Sequence, residues 1–405
     1  MLKPPSAYRP PLVRSLHRLL PWLWRRGAPP PDLREKTLFR NACAVARLDD
    51  FGIEPVLPAL RVYLAAVRSE ANLTPLGRTM THGQAVLALV ARARTLELLR
   101  RNPAWSERPL APPVVIAGPM RSGTTRLHRL MALHPGLVHL KLYEATFPVP
   151  PPRWAPDWRR QAMAGLLALA KRSNPMTLAI HPMSPREPDE ELGLFETAFW
   201  GAMLEAQRPI PSYARWCESA DARPAYQWLA TLLRMIGGAR GDDPNRPWLL
   251  KTPQHMANLP TLMEIFPGAR IIMTQRDPVA VVASSASLAW HNMVLQTDVL
   301  DPHWVGREWL WKTRDRMRKA AAFRAAALPG TVLDVGFEEA TRDPLGVLAR
   351  ALAFAGLDFP APVRAAAEAW LAREAAQPRH AAHRYELADF GLSADQVRAE
   401  LAGLL

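Results

Sequence analysis

Val114-Val-Ile-Ala-Gly118-Pro-Met-Arg-Ser-Gly123-Thr124-Thr125 decides the fold. A β-branched apolar run at 114–117 breaks into a loop whose glycines stand five positions apart, and an apolar-periodic segment, Leu127 to Leu133, follows. Strand, glycine loop and helix in that order make a phosphate cradle. The glycines admit an anion close to the backbone, and free N–H groups at the helix N-terminus point at it. The G-x-x-x-x-G spacing is that of nucleotide-triphosphate loops, but those carry Lys next, where this chain has Thr124. The nearest cation, Arg121, lies inside the loop. The loop therefore holds a phosphate differently from an ATPase or a kinase.

Outward from this loop, apolar runs at 114–117, 248–250, 270–274 and 331–335 each precede a loop and then an amphipathic helix. That alternation predicts an α/β fold, a P-loop-like parallel sheet flanked by helices. Ligands of such sheets bind at the carboxyl ends of the strands, here the loops at 118–125, 251–254 and 275–278. Residues 111–405 form this domain, with a helical insertion at 141–247 placed to shape a substrate pocket. Helices are expected in it near 158–172, 190–203 and 224–237. Ahead lies an N-terminal helical subdomain, 33–110, interrupted at Phe51-Gly52 and near Leu73 to Gly77. Residues 1–32 read as a basic, Pro-rich arm, poorly ordered or lying on the surface.

No apolar run reaches the ~18–20 residues of a membrane span. Leu12 to Trp24 mixes Arg14, His17 and Arg18 with apolar residues, so the arm suits peripheral membrane contact and does not read as a signal peptide. Cys43 and Cys217 are expected to be reduced thiols in a cytoplasmic protein. A net charge of +14 implies an anionic partner. The basic residues are scattered and no nucleic-acid-binding motif accompanies them, so no nucleic acid is expected and a polyanionic small molecule fits better. Oligomeric state is not readable.

A second phosphate signal is Arg270-Ile-Ile-Met-Thr-Gln-Arg276-Asp-Pro278, with Ser284 eight residues after Arg276. The strand delivers Arg276 to its carboxyl end, and Pro278 sits where a helix can begin without its N–H. A guanidinium and a hydroxyl reaching one oxyanion suit a phosphate.

Together the two signals resemble the sulfotransferases that use 3′-phosphoadenylyl sulfate, whose G-x-x-R-S-G-T-T loop cradles the 5′-phosphosulfate. A strand-end Arg and a Ser eight residues later hold the 3′-phosphate in that family. Leu142-Tyr-Glu144, Leu250-Lys251-Thr-Pro253, Phe266-Pro-Gly-Ala-Arg270 and His383-Arg-Tyr385 through Gly391-Leu are similar to the bacterial and Golgi-type branch, which has Arg in the first loop. The resemblance runs from about residue 33 to the C-terminus.

It implies a sulfuryl group passed from 3′-phosphoadenylyl sulfate to a hydroxyl or amine, with positioning and charge neutralisation as the protein's main work. Gly118, Arg121, Ser122, Gly123, Thr124 and Thr125 would bind the donor's 5′ end, Arg276 and Ser284 its 3′-phosphate, and Arg384 would add a contact. Glu144 matches the branch's carboxylate base, with His255 or His181 as alternatives, and Lys251 would neutralise the sulfuryl or bridging oxygens. Glu187, Asp189 and Glu190 read as exposed carboxylates at a helix N-terminus, and no metal is expected. The Trp-rich, basic character of the insertion leans toward a small-molecule, glycoconjugate or lipid acceptor, although the same tryptophans serve equally well as core. The competing readings are a P-loop kinase or nucleotidase and a non-catalytic anion-binding relative.

Overall fold

The computed structural model describes residues 2–152, 154–176, 183–376 and 386–404. Five strands, β1 Val114–Ala117, β2 Val138–His139, β3 Trp248–Lys251, β4 Arg270–Gln275 and β5 Val332–Gly336, form one sheet. Their order is β2-β3-β1-β4-β5 and every pairing is parallel. The principal helices are α1 Pro11–Arg25, α2 Glu35–Ala46, α3 Leu57–Ser69, α4 Pro75–Arg101, α5 Thr124–Met131, α6 Leu142–Thr146, α7 Arg159–Ser173 and α8 Arg223–Arg240. After them come α9 Pro278–Met293, α10 Pro302–Ala326, α11 Pro344–Phe354 and α12 Ala361–Ala376.

The strands read as continuous apolar runs because the sheet is covered on both faces. Val114 and Ile116 of β1 pack with Leu127, Leu130 and Met131 of α5 and with Leu348 and Leu352 of α11. Val115 and Ala117 turn the other way, into a core shared with Leu229, Leu233 and Ile236 of α8. Leu60, Leu64 and Leu89 of the N-terminal helices belong to that same core, so the 33–110 segment is packed continuously onto the sheet. Burying each such Leu or Ile contributes roughly 1.5–3 kcal/mol. β1 is the central strand, and its neighbours β3 and β4 lie on opposite sides. The chain therefore diverges at its carboxyl end, where an α/β sheet opens a ligand crevice.

Three expectations need correction. The arm, expected to be poorly ordered or to lie on the surface, carries an ordered helix: Pro11 opens α1, and Arg9 ahead of it is buried, donating to Val294 O at 2.9 Å, Thr297 O at 2.7 Å and Asp298 Oδ1 at 2.6 Å. The helix expected at 190–203 is two pieces, Leu192–Glu196 and Ala202–Gln207. Between them Phe199 and Gly201 take φ of 53° and 86°, held by distant side chains: Tyr213 donates to Phe199 O at 2.7 Å, and Gln254 Oε1 accepts from Ala202 N at 3.0 Å. Finally, β2 is an additional edge strand of two residues, paired with β3.

Candidate active site

The glycine loop lies between the carboxyl end of β1 and α5, as its pattern requires. Arg121 and Gly123 both adopt positive φ, 67° and 86°, and Gly123 is the N-cap of α5 with no side chain capping it. The first amides of α5 are thus left to an anion, and no acidic residue stands in its first turn. Ser122 is not a free donor: its hydroxyl bonds Pro119 O at 2.7 Å and the Thr274 hydroxyl at 2.5 Å, tying the loop to β4. A Cβ on Gly118 would lie 1.9 Å from Thr274 Oγ1, so only glycine allows this contact.

Lys251 ends β3 and is buried. Its Nζ reaches Thr125 Oγ1 at 3.3 Å and forms an ion pair with Glu190. Its backbone N–H donates to Glu191 Oε2 at 3.1 Å. Consecutive carboxylates therefore hold one lysine by both ends beside the loop. Burial raises the Glu190 carboxyl above the usual range, against the opposing pull of Lys251.

Glu190 is thus not the exposed, dipole-bound carboxylate expected, and Asp189 is also buried; Glu187, half-exposed, pairs with Arg129 at 2.7 Å. Glu190 was missed because its partner lies 61 positions away. The acidic run Asp189-Glu190-Glu191 was the available signal.

The two bases expected are otherwise engaged. Glu144 is buried, its Oε2 accepting from Lys141 N at 3.0 Å in a capping box and its Oε1 from Arg240 Nε at 2.9 Å, while a second contact closes the bidentate pair with Arg240. His255 is wholly buried, with Nδ1 bonded to the Tyr226 hydroxyl at 2.8 Å and Nε2 to Glu191. Both oxygens of Glu144 and both ring nitrogens of His255 are thus engaged by protein groups. His181 and Arg384 lie outside the described residues.

Arg276 follows β4 and turns toward the loop: its Nη1 donates to Arg121 O at 2.6 Å, and its guanidinium stacks 4.0 Å from the centroid of Phe337. A Cβ on Gly123 would meet the same Phe337 ring at 3.2 Å. Phe337, which the sequence did not single out, therefore stands between the two phosphate signals. Ser284 of α9 is buried, and its hydroxyl has no hydrogen-bond partner among the described residues. A buried hydroxyl without a partner costs about 1–3 kcal/mol and fits a site for a phosphate oxygen. Among the described residues no group of three or more His, Cys, Asp or Glu side chains is placed to hold a metal ion.

Residues 112–361 match the model of the sulfotransferase family. The chain belongs to that family. It is 29% identical to sulfotransferase STF1 of Mycobacterium tuberculosis H37Rv, with a TM-score of 0.80 over 91% of this chain and 98% of that one. Sulfotransferase STF9 of Mycobacterium avium shares the fold, with a TM-score of 0.81 at 24% identity over 92% of this chain and 95% of that one. The omega-hydroxy-beta-dihydromenaquinone-9 sulfotransferase Stf3 of Mycobacterium bovis is 27% identical over 259 residues, 61% of this chain. The chain spans 64% of the length of that relative, and equally of its Mycobacterium tuberculosis counterpart.

Proposed function

We propose that this sulfotransferase-family chain moves a sulfuryl group from 3′-phosphoadenylyl sulfate to the hydroxyl of a lipid-like small molecule. One observation carries the donor assignment: Arg276 bonds the backbone of the glycine loop, so the two phosphate-binding signals share a crevice. The uncapped α5 terminus and the unpartnered Ser284 hydroxyl suit the two ends of a doubly phosphorylated nucleotide.

In this reading the α5 amides, Arg121 and Thr125 neutralise charge growing on the departing 5′-phosphate. Lys251, beside Thr125, meets the sulfuryl oxygens as a point charge and holds Glu190 ionised. Glu190 takes the acceptor's proton, in place of Glu144, which is clamped by Arg240 and Lys141, and of His255, whose two ring nitrogens are both bonded. A general base contributes about 10²–10⁴-fold. The lipid-like acceptor rests on the menaquinone-derived substrate named for the Stf3 relatives.

The test is calorimetry with adenosine 3′,5′-bisphosphate against ATP, with and without Mg²⁺, followed by transfer of labelled sulfate to lipid alcohols. Preference for the bisphosphate without Mg²⁺ supports the reading. Strict Mg²⁺ dependence with ATP hydrolysis would make the chain a nucleotidase. Donor binding with no transfer to any acceptor would leave a non-catalytic anion binder.

A further inference from the structure

α1 carries three stripes. Val13, His17, Leu20 and Trp24 face the protein, and Val13 is completely buried. Leu12, Leu16, Leu19 and Leu23, at helical spacings of four, three and four, form a second stripe, in which Leu19 is 46% exposed. Arg14, Arg18 and Arg25 form the third, with Trp22, 43% exposed, covered by the guanidinium of Arg26 at 4.5 Å.

α7 touches α1 and repeats the design. Its Leu166 and Leu169 are 43% and 49% exposed, Trp158 just before it is also exposed, and Arg160, Lys171 and Arg172 are exposed beside them. Both helices are fixed to the same end of α9: Arg9 ahead of α1 bonds Val294 O, and Asn174 after α7 donates to His291 O at 2.9 Å. Tyr8 packs edge-on against Trp290 and His291 there, with ring centroids 5.9 and 5.7 Å away. No Asp or Glu occurs in residues 1–31 or 158–186.

Exposed leucines and tryptophans beside an excess of cations, with the neighbouring Asp157 and Asp298 already paired to Arg159 and Arg9, are the chemistry of a helix lying in a negatively charged lipid interface. A second copy of this face is a poor partner. A symmetric contact would set Arg14, Arg18 and Arg25 against like charges, and α1 itself carries no carboxylate to answer them.

We propose that α1 and α7 together form a docking surface for an anionic lipid bilayer. The leucine stripes enter the headgroup boundary, and the arginines bind the phosphates above it. Its occupancy is measured without any transfer reaction, so it stands or falls independently of the sulfuryl-transfer reading.

The experiment is flotation of the full-length chain with vesicles of phosphatidylcholine alone and of phosphatidylcholine mixed with phosphatidylglycerol. Binding is expected to the mixed vesicles only, weakening as salt rises from about 0.1 M to about 0.5 M. The double variant Leu19→Glu, Leu23→Glu should bind on the order of tenfold or more weakly, as should Leu166→Glu with Leu169→Glu. Arg14→Gln should lose about fivefold. Leu87→Glu, at an exposed position of α4, serves as the control and should bind like the unaltered chain. All substituted leucines are exposed, and unchanged circular dichroism confirms that the variants fold. Equal binding to neutral vesicles, no binding to mixed ones, or undiminished binding by both double variants would overturn the proposal. So would a dimer, seen by light scattering, that Leu19→Glu with Leu23→Glu dissociates.

Discussion

Glu190 and Lys251 form a largely buried ion pair, made between the insertion and the last residue of β3, with the Lys251 ammonium 3.3 Å from the Thr125 hydroxyl. The pair joins the 141–247 insertion to the glycine loop. A carboxylate with raised proton affinity and a desolvated ammonium, adjacent to a phosphate cradle, is an acid–base arrangement as much as a structural one.

Glu190→Gln is expected to lower kcat by about 10²–10⁴-fold while leaving the affinity for adenosine 3′,5′-bisphosphate within a few-fold. Glu144→Gln should behave oppositely. Breaking the pair with Arg240 costs about 3 kcal/mol of stability, yet the folded fraction keeps its turnover number. Denaturant midpoints and single-turnover rates on both variants separate the roles. An inactive but stable Glu144→Gln enzyme beside an active Glu190→Gln one would return the base to Glu144.

The acid limb of the pH–rate profile follows from the same pair. Glu190 must be ionised to accept a proton, and burial raises its pKa above the ordinary carboxylate value of 4.5. Activity should therefore fall, as pH drops, at a higher pH than an exposed glutamate would give. Lys251 lowers that pKa, so Lys251→Met should move the limb further up as well as reduce kcat. A limb that stays put in Lys251→Met would show that another group titrates.

The sheet was legible because its strands are buried on both faces and so print as apolar runs, and the glycine loop because its geometry restricts residue types. What escaped notice depends on partners far away in the chain. The turn at Phe199 to Gly201 is set by Tyr213 and Gln254, and β2 exists as a strand only through its pairing with β3. The charge of Glu190 is meaningful only once Lys251 is placed against it. Glu144 shows the converse: a motif position said which residue to watch, whereas Arg240, 96 positions on, decides where its oxygens point.

Gly118→Ala should be severe. The new methyl would stand 1.9 Å from Thr274 Oγ1, on a strand that cannot retreat without disturbing β1 and β5. Overpacking of this kind costs typically 1–3 kcal/mol, and displacing the loop should weaken nucleotide binding in addition. Combining it with Thr274→Gly removes the obstructing side chain and should restore part of the stability. If Gly118→Ala melts with the native chain and binds nucleotide equally well, the tight packing of the loop on β4 is wrong.

Ser284→Ala gives a test in which stability and binding should move in opposite directions. Its buried hydroxyl has no partner, so removing it should leave the apo protein as stable or more so. Affinity for adenosine 3′,5′-bisphosphate should nevertheless fall by about 1.5–3 kcal/mol, while affinity for adenosine 5′-phosphate stays the same. Arg276→Ala should show the same selectivity between the two nucleotides with a larger loss. Equal losses for both nucleotides would place Ser284 away from the 3′-phosphate.

Stability should decline on mild acidification because of buried histidines. Burial, with Arg240 and Lys141 nearby, pushes His139 down to about 4, and burial beside Lys251 holds His128 well below its ordinary 6.5. A histidine with a depressed folded-state pKa contributes stability that is complete above about 6.5 and is lost as pH falls through the folded value. For His139 that window runs from about 6.5 to about 4 and is worth on the order of 3 kcal/mol. Urea midpoints measured from pH 7.5 to pH 4.5 should fall steadily, and His139→Gln should flatten the lower part of the curve. A curve of the same slope in His139→Gln would mean that groups other than His139 dominate the acid unfolding.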